Sequence, residues 1–386
     1  MAGEARIVRE SFGRIYGSTA GLRVFRGPGR VNLIGEHTDY NLGFVLPMAL
    51  DMASFIGAAP NQAGKLRVIS DALCETIEHP VGAIADLKPA KHWSDYVFGV
   101  AQQLVRAGFE IAPKNLLIHS TVPVGSGLSS SAALETSTAL ALLDGRAMDP
   151  MELVKLCRRA ENEFVGMPCG IMDQYISVFG REGSAVRIDC RSLANDPVEL
   201  PANVAIFAVN TMVKHELGAS AYRERVRECG EAVKAIKTVK PDVESLRDVD
   251  MALFERAADR IPEAPRKRAR HVVTEDARVE QFMNASRQGD LKRMGELFVA
   301  SHRSLQHDYE VSCEELDFLV ETAIAVPGVY GSRMTGGGFG GCTVSLVAPE
   351  SVETFQRQIA QAYQKKFQIL PQIYACKPSA GAGEVS

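Results

Sequence analysis

Residues Val122–Leu143 read VPVGSGLSSSAALETSTALALL, a glycine-rich turn that leads through three serines into a run of small helix-forming residues. Glycine lets a backbone approach a ligand closely, and the amides that open a helix have no partners within it. Together with the helix dipole, such amides form an anion site that most often holds phosphate. The pattern therefore predicts a phosphate-binding loop at Gly125–Ser131. The alternative is an ordinary glycine turn followed by a serine N-cap.

The composition is that of a globular protein long enough for two domains. Of the 386 residues, 46% are hydrophobic and 23% are charged, an ordinary globular balance. The net charge of −4 gives no general attraction to nucleic acid or to an anionic membrane. No apolar run approaches the roughly 20 residues that span a bilayer, and the first residues lack the apolar core of a signal peptide. Eight scattered cysteines without metal-binding spacing indicate reduced thiols. We therefore expect a cytoplasmic protein with neither nucleic-acid nor membrane partners.

A dense polar stretch, Gly35–Asn41, follows a predicted strand near the N-terminus. It reads GEHTDYN and lies shortly after Arg30. Its carboxylates, imidazole and amide supply hydrogen-bond donors and acceptors in several directions, as recognition of a polyhydroxyl ligand requires. A polar turn and a metal site are the alternatives, although no second cluster in the sequence obviously completes a metal site.

Two later segments offer carboxylates for chemistry. A helix capped by Asp149 carries Glu161 and Glu163 at the two edges of its buried stripe, and spacing does not choose between them. Asp173 lies in the apolar run GIMDQYISVFG, where an unpaired charge is costly to bury. Such an acid is either functional or paired for structure, and Arg30 is a candidate partner.

A second glycine-rich segment, Gly336–Cys342, reads GGGFGGC. Three of its glycines match GxGxxG, but a strand-like run follows, whereas the dinucleotide-binding motif opens a helix. The chain also lacks the GxxxxGK[ST] motif of a P-loop enzyme. The segment is therefore predicted as a loop between strands that lets the backbone approach a ligand.

Elsewhere the pattern is less specific. Short strands are predicted at Arg23–Phe25 and Val31–Ile34, around a turn at Gly27–Gly29. The basic run Arg266–Arg268 lies in a charged, weakly patterned stretch and is expected to form a solvated face. The tail from Pro378 is expected to be mobile.

Three of these segments together resemble the galactokinases, within the GHMP family of small-molecule kinases. They are Gly29–Pro47, Val122–Glu135 and Gly336–Cys342, which have the family's order and spacing. The first, GRVNLIGEHTDYNLGFVLP, resembles the galactokinase signature itself, whereas the other two motifs are shared widely among GHMP kinases. Leu42 is a small departure, because a smaller or polar residue is more usual there.

The resemblance implies an α+β fold of two domains with the active site between them. Residues 1–198 would form a mixed α/β domain that binds ATP and the sugar, and residues 199–386 a ferredoxin-like GHMP kinase domain. The implied reaction is ATP- and Mg²⁺-dependent phosphorylation of the anomeric hydroxyl of galactose, the first committed step of galactose catabolism, by a monomer. Two alternatives are a kinase for N-acetylgalactosamine and a non-catalytic sensor of galactose and ATP, although such sensors show losses in the serine loop that is intact here.

The resemblance also implies roles for individual residues. Asp173 would be the catalytic base and Arg30 its partner. Mg²⁺ would be held by Ser131 and Glu161, which favours Glu161 over Glu163. The sugar would be contacted by Glu36, His37, Thr38, Asp39, Gly170, Asp173 and Tyr222. The nucleotide would be contacted by Ser70, Trp93, Gly125, Ser126, Gly127, Leu128, Ser129, Ser130 and Ser131.

Overall fold

The computed structural model describes residues 2–215 and 218–385. This part of the chain contains eleven α-helices and thirteen strands, and the strands form three sheets. The helices are α1 (Ala2–Tyr16), α2 (Asp95–Arg106), α3 (Ser130–Leu143), α4 (Pro150–Arg159), α5 (Met172–Phe179), α6 (Gly218–Ile236), α7 (Met251–Ala257), α8 (Glu263–Gln288), α9 (Leu291–Ser304), α10 (Glu314–Ile324) and α11 (Val352–Phe367). The strands are β1 (Arg23–Asn32), β2 (Phe44–Val45), β3 (Pro47–Pro60), β4 (Lys65–Ser70), β5 (Glu75–Pro80), β6 (Lys114–Ser120), β7 (Ser184–Asp189), β8 (Asn195–Glu199), β9 (Ala205–Lys214), β10 (Val329–Thr335), β11 (Gly340–Val347), β12 (Gln372–Cys376) and β13 (Gly383–Val385). Within the described residues, no helix combines the length and the apolar character needed to cross a membrane.

A six-stranded sheet with the order β13-β1-β3-β6-β4-β5 organises the N-terminal half. Its strands pair antiparallel except β4 and β6, which pair parallel. Helix α3 packs on β1 and β3, and its small residues Ala132 and Ala139 are fully buried. Helix α4 begins as predicted, because the Asp149 carboxylate accepts hydrogen bonds from the amides of Met151 and Glu152.

Strand β1 is unbroken, so the predicted pair of strands around a turn at Gly27–Gly29 is wrong. Both glycines serve close packing instead of a turn. A Cβ atom at Gly27 would overlap the carbonyl oxygen of Ala133, and one at Gly29 would lie 2.7 Å from the carbonyl oxygen of Leu128. Glycine is therefore required for α3 and the loop before it to approach β1.

A four-stranded antiparallel sheet with the order β10-β11-β9-β12 organises the C-terminal half. Its strands follow the chain order β-α-β-β-α-β, with α6 to α10 between β9 and β10 and α11 between β11 and β12. This is the ferredoxin-like arrangement that the resemblance implies. Gly336–Phe339 connects β10 to β11, so the glycine segment is a loop between strands, as predicted.

One hydrophobic core joins the two halves. It contains Val31 and Leu46 from the N-terminal half together with Phe282 and Val344 from the C-terminal half, all fully buried. The division of the chain into residues 1–198 and 199–386 stays a prediction, because the two halves share this core rather than standing apart.

The C-terminal tail returns to the first sheet, so the expectation of a mobile tail is wrong. Strand β13 pairs with β1 at the edge of the sheet. Arg26 on β1 is 1% exposed and donates to the hydroxyl of Ser379 and to the carbonyl oxygen of Ala380, both at 2.7 Å. A buried guanidinium needs such partners, and they fix the tail in place.

Helix α8 begins near the end of Lys240–Arg270, the stretch in which the sequence showed little pattern. Arg268 on this helix is 3% exposed, and its guanidinium donates to the carboxylates of Glu228 (2.8 Å) and Glu310 (2.7 Å). The run Arg266–Arg268 is therefore not a wholly solvated face. Its charge pattern could not reveal this, because the partners lie about 40 residues away in either direction.

Candidate active site

Three chain segments meet around the carboxylate of Asp173. Arg30 on β1 donates from Nε to Oδ1 and from Nη2 to Oδ2, both at 2.9 Å, which makes a bidentate pair. The hydroxyl of Ser129 donates to Oδ2, and Nη1 of Arg30 donates to the carbonyl oxygen of Gly127. The Arg30 side chain is 7% exposed and that of Asp173 is 23% exposed, so the carboxylate is buried on the arginine side and still accessible.

The predicted phosphate loop, Gly125–Ser131, leads directly into α3. Ser129 adopts the left-handed conformation at the N-cap position, and its hydroxyl makes no capping hydrogen bond to the helix. That hydroxyl is directed at Asp173 instead, so the serine N-cap alternative is wrong. The hydroxyl of Ser126 braces the loop, donating to the carbonyl oxygen of Pro123 and accepting from the amide of Leu128. The loop therefore connects the start of α3 to the Asp173 cluster.

Glu161 lies in a π-helical turn, Ala160–Val165, that continues α4. Its side chain is buried and contacts the hydroxyl of Ser131, and its Oε2 accepts from Nε2 of Gln174 at 2.6 Å. Glu163 is exposed on the same turn. The structure thus places Glu161, and not Glu163, beside the phosphate loop.

Glu135 is a buried carboxyl group that the sequence analysis did not single out. It is fully buried on α3, and its Oε2 accepts from the same Gln174 amide at 2.9 Å. Its Oε1 has no hydrogen-bond partner among the described residues. The available signal was its position as the one charged residue in an otherwise small and apolar helix.

The carboxyl groups of Glu135 and Glu161 lie in surroundings that favour binding of a cation. Burial and the nearby charge of Glu161 raise the pKa of Glu135 well above its usual value. Burial and the charge of Asp173 raise the pKa of Glu161. Carboxyl oxygens are ligands that a hard divalent cation takes, and the charge of such a cation would favour the ionised form of both groups.

The polar stretch Gly35–Asn41 folds so that His37 is buried among aromatic rings. Its Nδ1 is 2.8 Å from the hydroxyl of Tyr40, and its ring centroid lies 5.7 Å from that of Tyr222. Its Nε2 has no hydrogen-bond partner in the described part of the chain. Burial, followed by the nearby His271 and Arg225, lowers the pKa of His37 to about 3. The ring is therefore neutral near pH 7.

Asp39 lies against the backbone of Gly170. A Cβ atom at Gly170 would overlap the Asp39 carboxylate, so glycine is required for this approach. Burial, and then the charge of Asp173, raise the pKa of Asp39 to about 6. A cavity of about 420 Å³, lined by Tyr40, Cys169 and Tyr222 among others, opens beside this group.

Glu36 and Thr38 link this stretch to its surroundings. Oε1 of Glu36 accepts from the amide of Gly336 at 2.8 Å and from the hydroxyl of Thr335 at 3.0 Å, which ties the stretch to the C-terminal glycine loop. The hydroxyl of Thr38 is fully buried and contacts the carbonyl oxygens of Gly35 and Phe44. The side chain of Thr38 thus braces the backbone rather than facing the cavity.

Ser70 and Trp93 belong to a separate group around β4 and β5. Nε1 of Trp93 donates to Oε2 of Glu75 at 2.8 Å, and Ser70 ends β4. Glu75 also lines a cavity of about 220 Å³ with His92 and Phe98. No hydrogen bond between described residues joins this group to the Asp173 cluster.

Three family models match the chain. Residues 10–60 match the galactokinase galactose-binding signature, residues 95–181 the GHMP kinases N-terminal domain, and residues 282–365 the GHMP kinases C-terminal domain. These ranges include the polar stretch, the phosphate loop and the C-terminal glycine loop.

Known proteins match over nearly the whole length. A galactokinase of Roseiflexus sp. is 44% identical over 98% of this chain and 96% of its own, and the galactokinase of Homo sapiens is 44% identical over 92% and 91%. The crystal structure of Lactococcus lactis galactokinase complexed with galactose superposes with a TM-score of 0.93 and 37% identity, covering 99% of this chain and 100% of that one. A mevalonate kinase structure, at 18% identity and a TM-score of 0.65, shares the fold. The chain therefore belongs to the galactokinase family of GHMP kinases.

Proposed function

We propose that this galactokinase transfers the γ-phosphoryl group of ATP to the anomeric hydroxyl of galactose with Asp173 as general base. The observation that carries the assignment is the bidentate Arg30–Asp173 pair, with a partly exposed carboxylate that also accepts from Ser129 in the phosphate loop. This arrangement supports Asp173 as the proton acceptor, because Arg30 and Ser129 hold its carboxylate while part of it stays exposed.

The chemistry follows from the partners of that carboxylate. Phosphoryl transfer passes through a loose transition state, so the protein acts mainly by positioning and charge stabilisation. Asp173 takes the proton of the anomeric hydroxyl, an effect worth about 10²–10⁴-fold in rate. Arg30 orients the carboxylate and stabilises the negative charge that develops between the attacking oxygen and phosphorus.

Mg²⁺ is held in this proposal by the hydroxyl of Ser131 and the carboxylate of Glu161. The fit rests on the buried carboxyl of Glu161 and the unpartnered Oε1 of Glu135 nearby, two oxygen donors whose ionised form a cation would stabilise. When bound, the ion neutralises charge on the phosphate oxygens. Gly125–Ser131 binds the phosphates through its amides, with Trp93 and Ser70 on the nucleotide side.

The sugar is recognised by Glu36, His37, Asp39, Gly170 and Tyr222, of which Tyr222 lines the 420 Å³ cavity. His37 contributes its neutral ring to the sugar site, and the Asp39 carboxylate accepts from the 3- and 4-hydroxyls together. Because galactose and glucose differ only at the 4-hydroxyl, Asp39 is the group that discriminates between them.

A coupled kinase assay over galactose, glucose and N-acetylgalactosamine tests the proposal. We expect turnover of galactose, with kcat/KM at least about 10²-fold above that for glucose, because a lost hydrogen bond to a charged group costs about 1.5–3 kcal/mol and leaves a desolvated acceptor. Preferred turnover of N-acetylgalactosamine would contradict the substrate assignment. Binding of galactose and ATP without turnover would indicate a sensor instead.

The proposal also includes a cytoplasmic monomer. All eight cysteines are free thiols in the structure, which fits a reducing compartment. Light scattering coupled to size-exclusion chromatography checks the oligomeric state, with 41.9 kDa expected for one chain.

A further inference from the structure

The sugar loop, defined here as Gly35–Phe44, has little regular structure. It contains a short 3₁₀ turn at Asp39–Asn41, and it bends through three residues with positive φ, Gly35, His37 and Leu42. Buried backbone groups in such a loop need hydrogen-bond partners from elsewhere, because no ladder or helix supplies them. The position of the sugar-contacting side chains therefore depends on what holds this backbone.

Helix α8 holds the first end of the loop. Oε1 of Glu275 accepts from the amides of Gly35 (3.0 Å) and Glu36 (3.3 Å). His271 lies one turn earlier on the same helix face, and its Nε2 donates to the carbonyl oxygen of Glu36 at 3.0 Å. The backbone on both sides of Glu36 is thus fixed by two residues of one helix.

The same helix holds the other end of the loop. Oδ1 of Asp276 accepts from the amide of Phe44 at 2.8 Å. A Cβ atom at Gly43 would overlap the Asp276 carboxylate, so helix and loop are in direct contact there. Consecutive residues of α8, Glu275 and Asp276, therefore clamp the two ends of the sugar loop.

Glu275 is itself held rigidly. It is fully buried, its Oε1 also accepts from the hydroxyl of Ser301 at 2.7 Å, and its Oε2 accepts from Nε of Arg278 at 2.6 Å. Burial opposes ionisation, but the cation of Arg278, followed by His271 and Arg333, outweighs it and keeps the pKa of Glu275 below its usual range. Three donors thus converge on one ionised oxygen, which is a stronger acceptor than a neutral amide.

We propose that Glu275 is a positioning residue for sugar recognition, which acts by fixing the amides of Gly35 and Glu36. The inference rests on the proposed role of the sugar loop in binding galactose. Glu275 lies outside the three family models that match the chain, since these cover residues 10–60, 95–181 and 282–365. It is also absent from the residues that the sequence motifs single out.

The test is the variant Glu275→Gln in the full chain, with galactose affinity and catalysis measured separately. Gln preserves the shape but removes the charge and turns an NH₂ group toward either the loop amides or Arg278. We expect KM and Kd for galactose to rise about 10- to 100-fold, the size of a lost hydrogen bond to a charged group. We expect the KM for ATP to stay within threefold of that of the unmutated enzyme. Among the described residues, the hydrogen-bond partners of Glu275 do not include the phosphate loop.

Glu263→Gln is the matched control. Glu263 lies in the first turn of the same helix and is exposed, so the KM for galactose should not change. If Glu275→Gln does not fold, Glu275→Asp provides the same test, because it keeps a charge near Arg278 but withdraws the oxygen from the loop amides.

Two results overturn the inference. One is a KM for galactose within threefold of the unmutated enzyme in folded Glu275→Gln. The other is a parallel loss of galactose and ATP affinity, which would show a general structural role. Failure of the proposed function would look different, because the unmutated protein would then not turn over galactose. Calorimetric binding of galactose to the Glu275 variants would still decide the inference.

Discussion

Around Asp173 there are more carboxyl groups than cations to pair with them. Arg30 pairs with Asp173, whereas Glu135 and Glu161 share one neutral amide and the half-buried Asp39 lies near Asp173. Carboxyl groups that outnumber their cations have raised pKa values, and these residues are where a metal ion and a polyhydroxyl ligand would bring compensating partners.

Galactose affinity should fall as the pH falls through about 6, where Asp39 becomes protonated. The protonated carboxyl accepts fewer hydrogen bonds from the sugar, and the sugar itself does not titrate in this range. His37 does not contribute, since its pKa of about 3 lies below the window. Calorimetry between pH 5 and 8 should give a constant Kd above pH 7 and a rising Kd below pH 6. A Kd that is flat from pH 5 to 8 would show that Asp39 does not bind the sugar in its ionised form.

Loss of either oxygen proposed to hold Mg²⁺ should raise the Mg²⁺ concentration needed for half-maximal activity. We expect Ser131→Ala and Glu161→Gln each to do so by at least about fivefold, because each removes an oxygen near the phosphates. Glu163→Gln is the control, since Glu163 is exposed on the same turn. An equal effect of Glu163→Gln in the Mg²⁺ titration would refute the assignment of Glu161.

At the level of elements, close approach of backbones sets the geometry. Helix α3 lies on β1 only because Gly27 and Gly29 leave room for it, and this contact brings the phosphate loop to Arg30. Helix α8 plays the corresponding part for the sugar loop through Glu275 and Asp276.

Gly27→Ala should destabilise the protein by about 1–3 kcal/mol, the usual cost of an added methyl group in a close-packed site. The added methyl would overlap the carbonyl oxygen of Ala133 on α3. The free energy of unfolding from urea titration measures this effect. Gly230→Ala is the control, because Gly230 lies on α6 with open space around it, and this change should be neutral or stabilising. Equal free energies of unfolding for the two variants would mean that β1 and α3 can move apart without loss of stability.

Sequence reasoning succeeded where residue type and local order carry the information. The Arg30–Asp173 pair, the cap of α4 at Asp149 and the glycine loop after β10 all follow from short motifs. It failed at Gly27–Gly29, because a glycine needed for a tertiary contact has the same local signature as a turn glycine. Glu135 and Glu275 were missed because their partners are distant in sequence.

At the scale of the whole molecule, the C-terminal tail packs against the N-terminal half. The tail after β12 crosses back to the N-terminal half, where the amide of Gly381 donates to Gly180 and that of Ala382 donates to Ser177. These acceptors lie at the end of α5, the helix that carries Asp173. The C-terminal end of the chain therefore supports the helix that carries Asp173.

Removal of residues 378–386 should destabilise the protein by about 3–5 kcal/mol, since the buried Arg26 would keep its hydrogen bond to Leu50 but lose those to Ser379 and Ala380. We also expect this truncation to lower kcat, because the end of α5 loses two hydrogen bonds. Thermal unfolding and steady-state kinetics check both effects. Removal of Ser386 alone is the control. An unchanged stability of the longer truncation would restore the expectation of a mobile tail.

The most direct test of the central claim is kcat for Asp173→Asn with saturating galactose and MgATP, beside the galactose Kd from calorimetry. The amide keeps the shape of the side chain but cannot accept the proton. The expected result is a kcat lower by about 10²–10⁴-fold, with thermal stability preserved and the galactose Kd changed by less than tenfold. A kcat within tenfold of the unmutated enzyme would contradict general-base catalysis by Asp173.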